Sequence, residues 1–236
     1  MVSAISYIHN IKGYNNPAEA FVIKKLLRST KLTTHCDKRE PITIPILTSL
    51  LEALPKVTRN SKLLRLFRAI FLVAFYGLFR IGELTFTKKG IHNLISKRNV
   101  KFCKNNQTQT CAIITLHSYK HSLGQKAKIA LKQQPISSLC PVRALKRYIQ
   151  HDHNAKDHLF VLPCGSPITS TFFRQVLRKC VHICGLDPST YTAHSFRIGG
   201  ATHAFSQGLS TAQIKHLGRW KSSAYLKYIR PNDTTS

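Results

Sequence analysis

Acidic residues are scarce in this 236-residue chain, and the excess of basic over acidic residues gives it a high positive charge. Nine Asp and Glu oppose thirty-six Lys and Arg, so the formal net charge at pH 7 is +27. A surface this positive favours a partner of dense negative charge, with nucleic acid as the leading class and an anionic membrane surface as the second. Because 43% of the residues are hydrophobic, the chain can also build a buried core and is not a disordered polycation.

Two further absences narrow the class of protein. No CxxC pair occurs among the seven cysteines and no signal peptide is recognisable, so we predict reduced thiols in a reducing compartment. Cys180 and Cys184 lie one helical turn apart without a second ligand pair, which favours buried helix residues over a zinc site.

Long apolar runs are missing as well: Leu63 to Phe79 contains two arginines, and its uncharged part, Ala69 to Phe79, is too short to span a bilayer. This stretch predicts a buried helix.

The remaining pattern predicts a mainly α-helical chain with one small antiparallel β-sheet, an α+β fold. Apolar periodicity and capping residues predict helices over Pro17 to Ser29, Ile44 to Leu54, Ser61 to Phe79, Pro141 to Gln150, Ser170 to Cys184, Ser195 to Gln207, Ser210 to Gly218 and, more briefly, Ser222 to Ile229. Short β-prone runs predict strands over Val100 to Cys103, Cys111 to Ser118 and Ala127 to Leu131. The polar stretch Thr33 to Pro41 is expected to be a linker.

Two short motifs carry groups suited to binding phosphate. His194 and Arg197 are three residues apart at the entry of a predicted helix, so their side chains project from one side of it. Arg80 follows the most apolar helix and precedes Glu83, with which it can pair. Each motif alone is common in proteins where such residues only pair or pack. Their order along the chain is more informative.

Taken in order, the motifs resemble the signature of the tyrosine recombinase (phage integrase) family. The strings that carry the resemblance are Gly77-Leu-Phe-Arg-Ile-Gly-Glu-Leu84, Cys140-Pro-Val-Arg-Ala-Leu145, His194-Ser-Phe-Arg-Ile-Gly-Gly-Ala-Thr202, Leu217-Gly-Arg-Trp-Lys-Ser222 and Ala224-Tyr-Leu-Lys-Tyr-Ile-Arg230. They are most similar to recombinases of eukaryotic mobile elements of the Crypton type. The resemblance implies a catalytic domain over residues 41–236, preceded over residues 1–40 by the last part of a helical core-binding domain.

The implied reaction is attack of a tyrosine on a DNA phosphodiester, which gives a 3′-phosphotyrosine. Negative charge builds on the non-bridging oxygens, and planar guanidinium groups match them, so Arg80 and Arg197 are expected to clamp the phosphate. A free tyrosine has a pKa of about 10 and is almost fully protonated at neutral pH. The nucleophile therefore needs a proton acceptor, for which His194 is the candidate.

The other roles come from the resemblance. It implies that a lysine on a β-hairpin protonates the leaving 5′ oxygen, and Lys120 is the best match, with Lys126 and Lys128 as rivals. Trp220 stands where family members carry His or Trp, and its indole N–H could donate to the phosphate. Glu83 is expected to orient its neighbours without doing chemistry itself.

Two tyrosines compete for the role of nucleophile. In the family, about nine residues usually separate the His or Trp position from the nucleophile. Tyr228 is eight residues after Trp220, whereas Tyr225 is only five after it. The sequence therefore favours Tyr228 and leaves Tyr225 as the alternative.

The implied function is DNA breaking and rejoining in integration, excision or transposition, with no metal or other cofactor. The expected partners are double-stranded DNA and further copies of the chain in a synaptic tetramer, with no membrane partner. The expected location is the nucleus in a eukaryote and otherwise the cytoplasm with the nucleoid. The short segments before residue 41 and after Tyr228 suggest a truncated element. Two alternatives stay open: a recombinase-derived DNA-binding protein without cleavage, and an enzyme like type IB topoisomerase.

Overall fold

A computed structural model of the chain describes residues 2–23, 37–87, 94–104, 110–119, 122, 124–151 and 157–230. The chain divides into two compact units, Met1–Lys38 and Arg39–Ser236. This division falls within the polar stretch 33–41 in which the sequence predicts a linker. That the first unit is part of a core-binding domain stays a prediction.

The first unit contains a helix that sequence analysis did not predict, α1 (Val2–Ile11). A single 3-10 turn, Pro17–Glu19, follows it and is capped by Asn16, whose side-chain oxygen accepts the Ala18 N–H at 3.0 Å. Helical structure starts again only at residues 21–23, so the continuous helix predicted from Pro17 was wrong in its first turn. The rest of that prediction, to Ser29, lies outside the described residues.

The second unit is mainly helical, as predicted. Its α-helices are α2 (Ile44–Val57), α3 (Ser61–Tyr76), α4 (Ile81–Leu84), α5 (Pro141–Gln150), α6 (Ser170–Ile183), α7 (Ser195–Ser206) and α8 (Thr211–Gly218), and a 3-10 helix, Ser223–Tyr228, follows them. Ser210 and Gln213 form a capping box at the start of α8, because each side chain bonds the other residue's backbone N–H. Within the described residues, no helix combines the length and apolar character needed to cross a membrane.

The predicted antiparallel sheet is confirmed. Its strands β1 (Val100–Lys104), β2 (Thr110–Leu116) and β3 (Ala127–Lys132) are hydrogen-bonded in that order. Alternate residues of β2 are buried, and Ile114 pairs with the buried Ile129 on β3. One face of the sheet therefore belongs to the core, as the period of two in its sequence indicates.

Helix α3 runs through the core and packs against α2, α5 and α7. Its Phe71 ring contacts Phe173 of α6 and Phe196 of α7, with centroids 5.5 and 5.0 Å apart. Helix α7 approaches α3 closely because Gly200 has no side chain: a Cβ there would lie 2.1 Å from the carbonyl oxygen of Phe75. This close contact brings the start of α7 next to the end of α3.

Helix α3 ends at Tyr76, three residues earlier than the sequence predicts. Gly77 caps it, and Leu78 then adopts a left-handed conformation with φ of 47°. This conformation is unfavourable for a residue with a side chain. Here it is compensated, because the Leu78 carbonyl accepts hydrogen bonds from two buried arginines, Arg197 and Arg219. Apolar periodicity alone does not reveal such a turn.

Candidate functional site

A cleft of about 450 Å³ opens in the second unit beside α4, α6 and the loop before α7. Arginine and histidine side chains line much of it: Arg39, Arg80, Arg174, Arg178 and His194. Within the described part of the chain, no Asp or Glu lines this cleft. A concave surface of this composition attracts anions.

Arg80 is the residue just before α4, and it lines this cleft. Its backbone N–H donates to Glu83 Oε2 at 2.9 Å, and its Nη1 donates to Glu83 Oε1 at 3.2 Å. The Arg80 side chain remains 24% exposed, whereas that of Glu83 is 7% exposed. A buried carboxylate thus holds an arginine that still faces solvent, at the position where the sequence predicts a phosphate ligand.

His194, Trp220 and Tyr228 come together although 34 residues separate the first from the last. The Tyr228 ring lies between the other two, with centroids 5.1 Å from His194 and 4.9 Å from Trp220. His194 also lines the cleft, so it connects the ring cluster to the cationic surface. These three predicted catalytic residues are therefore neighbours in space, and Arg197 is a fourth.

Arg197 lies beneath this ring cluster and is completely buried. Its guanidinium carbon is 4.1 Å from the centroid of Trp220 and 5.3 Å from that of Tyr228. Nη1 donates to the carbonyl of Leu78 and Nη2 to that of Gly218, at 2.5 Å for the latter. In this conformation the rings cover the guanidinium, so its predicted contact with a phosphate stays a prediction.

Burial and the charges of Arg80 and Arg219 lower the pKa of Arg197 to about 9. The guanidinium is therefore still a cation at neutral pH. Its Nε has no hydrogen-bond partner among the described residues. An incompletely satisfied buried cation is costly in an ordinary core and is typical of functional sites.

The two candidate nucleophiles occupy different surroundings. The Tyr225 hydroxyl lies 3.5 Å from Thr211 Oγ1 at the start of α8. Tyr228 is instead held on the side of α7, because Thr202 donates to its carbonyl at 3.1 Å and accepts the Arg230 N–H at 3.0 Å. The sequence alone predicts no role for Thr202.

Lys120 lies outside the described residues, so its predicted place on a hairpin is not described. The hairpin itself is formed by β2 and β3, between which Lys120 lies in the sequence. Its rivals Lys126 and Lys128 are both exposed.

Arg219 is a site residue that sequence analysis missed. It has a left-handed conformation at the end of α8, with φ of 57°, where glycine is the usual residue. Its buried guanidinium donates to Glu83 Oε2 at 2.6 Å. Burial lowers the pKa of Arg219, and the carboxylate of Glu83 opposes that shift. The sequence does contain one indication that Arg219 belongs to the site. The nine-residue spacing that is usual in the family, counted back from Tyr228, falls on Arg219 and not on Trp220.

Cys180 is predicted to be a buried helix residue, and this is confirmed: it lies on α6 and is completely buried. Cys184 caps the same helix and is partly buried.

Sequence comparison finds a relative that matches nearly the whole chain. The chain is 26% identical over 240 residues to a protein described as an integrase/recombinase xerD homolog from Selenomonas ruminantium. The match covers 97% of this chain and 66% of that protein, so the chain spans slightly less than two thirds of its relative. No family model matches the chain.

Solved structures of recombinases have the same fold. XerH site-specific recombinase bound to palindromic difH substrate, in a post-cleavage complex, matches with a TM-score of 0.61 and 17% identity over 82% of this chain and 49% of that one. XerA recombinase matches with 0.59 and 17% over 98% and 78%, and a lambda integrase dimer bound to a COC′ core site with 0.59 and 14% over 100% and 65%. The predicted fold, that of a tyrosine recombinase catalytic domain, is confirmed. Together with the xerD homolog, these structures support the tyrosine recombinase/integrase family.

Proposed function

We propose that the chain is the catalytic part of a tyrosine recombinase that breaks and rejoins double-stranded DNA. The observation that carries the proposal is the packing of Tyr228 between His194 and Trp220, over a buried arginine and beside a cleft that contains Arg80. A phenol, a proton acceptor and guanidinium groups are the chemical groups that attack on a phosphodiester requires.

In the proposed reaction Arg80 binds the non-bridging oxygens of the scissile phosphate from the cleft. Tyr228 loses its proton to His194, and its oxygen forms a bond to phosphorus while the bond to the 5′ oxygen breaks. Lys120 gives a proton to that leaving oxygen. The product is a 3′-phosphotyrosine and a free 5′ hydroxyl, and attack by another 5′ hydroxyl reverses the steps and rejoins a strand.

The position of Arg197 adds a requirement to this mechanism. Its guanidinium is covered by the rings of Trp220 and Tyr228 and bonded to the carbonyls of Leu78 and Gly218. Direct contact between Arg197 and a phosphate requires these rings to move aside. Until then the buried guanidinium of Arg197 places a positive charge 5.3 Å from the centroid of the Tyr228 ring.

The wider cleft is suited to DNA on both sides of the scissile phosphate. Arg174 and Arg178 are one helical turn apart on α6 and line it, as does Arg39. We assign these arginines to flanking phosphates.

We further propose that the protein acts in the transposition of a mobile element of Crypton type. In this proposal it works as a tetramer assembled on DNA, in the nucleus if its host is a eukaryote.

The test of this proposal is covalent capture on DNA. The chain is incubated with nicked duplexes of candidate sites, in which loss of a short 5′ fragment prevents religation, and the adduct is separated on a denaturing gel. We expect an adduct at the 3′ phosphate that forms equally well in EDTA, since arginines and a lysine supply the positive charge that a metal supplies in many nucleases. An adduct that disappears on chelation and returns with magnesium would contradict the proposed chemistry.

A second candidate function is DNA binding without cleavage, and the burial of Arg197 favours it. A guanidinium whose Nη atoms are bonded to main-chain carbonyls is also what a retained structural residue would look like. The same assay separates the two functions, because a binding protein shifts the duplex on a native gel and leaves no adduct on the denaturing one.

A further inference from the structure

Arg219 is a buried arginine to which the proposed reaction assigns no role. Its side chain is 2% exposed, and its Nη2 donates to Glu83 Oε2 at 2.6 Å and to the Leu78 carbonyl at 3.0 Å. Its Nη1 donates to the carbonyls of Leu217 at 2.9 Å and Gly77 at 3.3 Å. Four acceptors thus fix one guanidinium.

Two of these acceptors are shared with the arginines proposed to serve the phosphate. The other oxygen of Glu83 accepts from Arg80 Nη1 at 3.2 Å. The carbonyl of Leu78 also accepts from Arg197 Nη1. Arg219 is therefore linked to each of the two proposed phosphate ligands through one shared acceptor.

We infer that Arg219 is a positioning residue for DNA cleavage: by pairing with Glu83, it leaves the charge of Arg80 available to the substrate phosphate. The inference rests on the proposed function. The contact from Glu83 to Arg219 is 0.6 Å shorter than the ion pair to Arg80, as the distances of 2.6 and 3.2 Å give. The buried arginine is thus the closer ion-pair partner, and the cleft-lining arginine is held more loosely.

Removal of Arg219 would change this balance. Among the described residues, Arg80 would then be the remaining ion-pair partner of the buried Glu83 carboxylate, and such a pair closes tightly in a medium of low dielectric constant. Arg80 would be drawn towards the carboxylate, and its charge would be cancelled where the phosphate binds. Removal of the Glu83 charge as well should free Arg80 again.

This compensation distinguishes positioning from a purely structural role. We would compare Arg219→Met, Glu83→Gln and the double variant with the wild type in single-turnover adduct formation at saturating nicked DNA, with DNA affinity and melting temperature measured alongside. Arg98→Met serves as the matched control, because it removes an exposed arginine that is ion-paired with Asp157 at 2.5 Å. The control should cleave at the wild-type rate.

We expect Arg219→Met to slow adduct formation by about 10²-fold, the usual effect of losing a preorganised charge at such a site, with DNA affinity nearly unchanged. The double variant should cleave about tenfold faster than Arg219→Met, which is a strong departure from additivity. Arg219→Lys keeps the charge but loses the planar fork, so its rate should be intermediate.

The outcomes separate the inference from the proposed function. A wild-type chain that forms no adduct overturns both. If the wild type cleaves, then wild-type rates in Arg219→Met, or a double variant slower than either single one, overturn the inference alone. Should Arg219→Met fail to fold, Arg219→Lys decides in its place: a folded, fully active lysine variant overturns the inference, and a slow variant with unchanged DNA affinity supports it. Should both Arg219→Met and Arg219→Lys fail to fold, the double variant decides: cleavage at the rate of Glu83→Gln supports the inference, and slower cleavage overturns it.

Discussion

At the scale of single residues, the different surroundings of Tyr225 and Tyr228 separate their expected roles. Tyr228→Phe removes only the oxygen proposed to attack, so adduct formation should vanish while folding and DNA affinity persist. Tyr225→Phe is the matched control and loses only a contact of 3.5 Å with Thr211, so it should still form the adduct. The measurement is covalent capture on nicked DNA. The opposite pattern, with Tyr225→Phe inactive and Tyr228→Phe active, would reverse the assignment.

The general acid can be tested by a change in the substrate. Lys120→Ala should slow cleavage by about 10²- to 10⁴-fold, as loss of a general acid does. A substrate with sulfur at the 5′-bridging position should largely restore the rate, because a thiolate leaves without a proton. Lys126→Ala and Lys128→Ala are the controls. If sulfur restores one of these variants and not Lys120→Ala, that lysine is the acid.

At this scale the sequence reveals residue types better than their surroundings. His194, Trp220 and Tyr228 could be named because the motifs that contain them are short and local. The burial of Arg197 could not, because it depends on rings from two distant segments and on the carbonyls of Leu78 and Gly218. Arg219 was missed for the same reason, since its partner Glu83 is 136 residues away in the sequence.

At the scale of secondary-structure elements, the contact between α7 and α3 determines where His194 and Arg197 lie. Gly200→Ala would introduce a Cβ 2.1 Å from the Phe75 carbonyl oxygen, so α7 would have to shift. We expect a loss of about 1–3 kcal/mol in the free energy of unfolding, measured by urea denaturation, together with slower adduct formation. Gly82→Ala is the control for stability, because its Cβ would make an ordinary contact of 3.5 Å with Thr87. Equal stability of the two variants would show that α7 tolerates displacement.

Most elements could be predicted because their signals are periodic. The strands and helices α5 to α8 follow from alternation, helical periodicity and caps such as Ser210. The end of α3 could not be predicted, because Leu78 takes a conformation that a leucine adopts only when tertiary hydrogen bonds compensate it. Helix α1 was missed although apolar residues recur in it, and Ile5 and Ile8 are exposed in the described structure.

At the scale of the whole molecule, the charge of +27 should dominate DNA binding. The logarithm of the binding constant should fall steeply with the logarithm of salt concentration, by about 0.9 per phosphate contact. The double variant Arg174→Ala/Arg178→Ala should reduce this slope by about 2 if both arginines bind phosphates. Arg98→Met, on an exposed ion pair outside the cleft, should leave it unchanged. Fluorescence anisotropy at several salt concentrations measures the slope. Equal slopes for the wild type, the double variant and Arg98→Met would show that the two arginines of α6 do not bind DNA phosphates.

The charge balance around Glu83 links folding to the substrate. Arg80, Arg197 and Arg219 bring three positive charges to one carboxylate, so this group carries an excess of two. These cations repel one another, and a bound oxyanion would reduce that repulsion. Folding and phosphate binding then form one linked equilibrium, in which ligand stabilises the native state according to its concentration relative to its dissociation constant. If the proposed function is right, DNA phosphate is this ligand, and the chain should be more stable with DNA bound than without it.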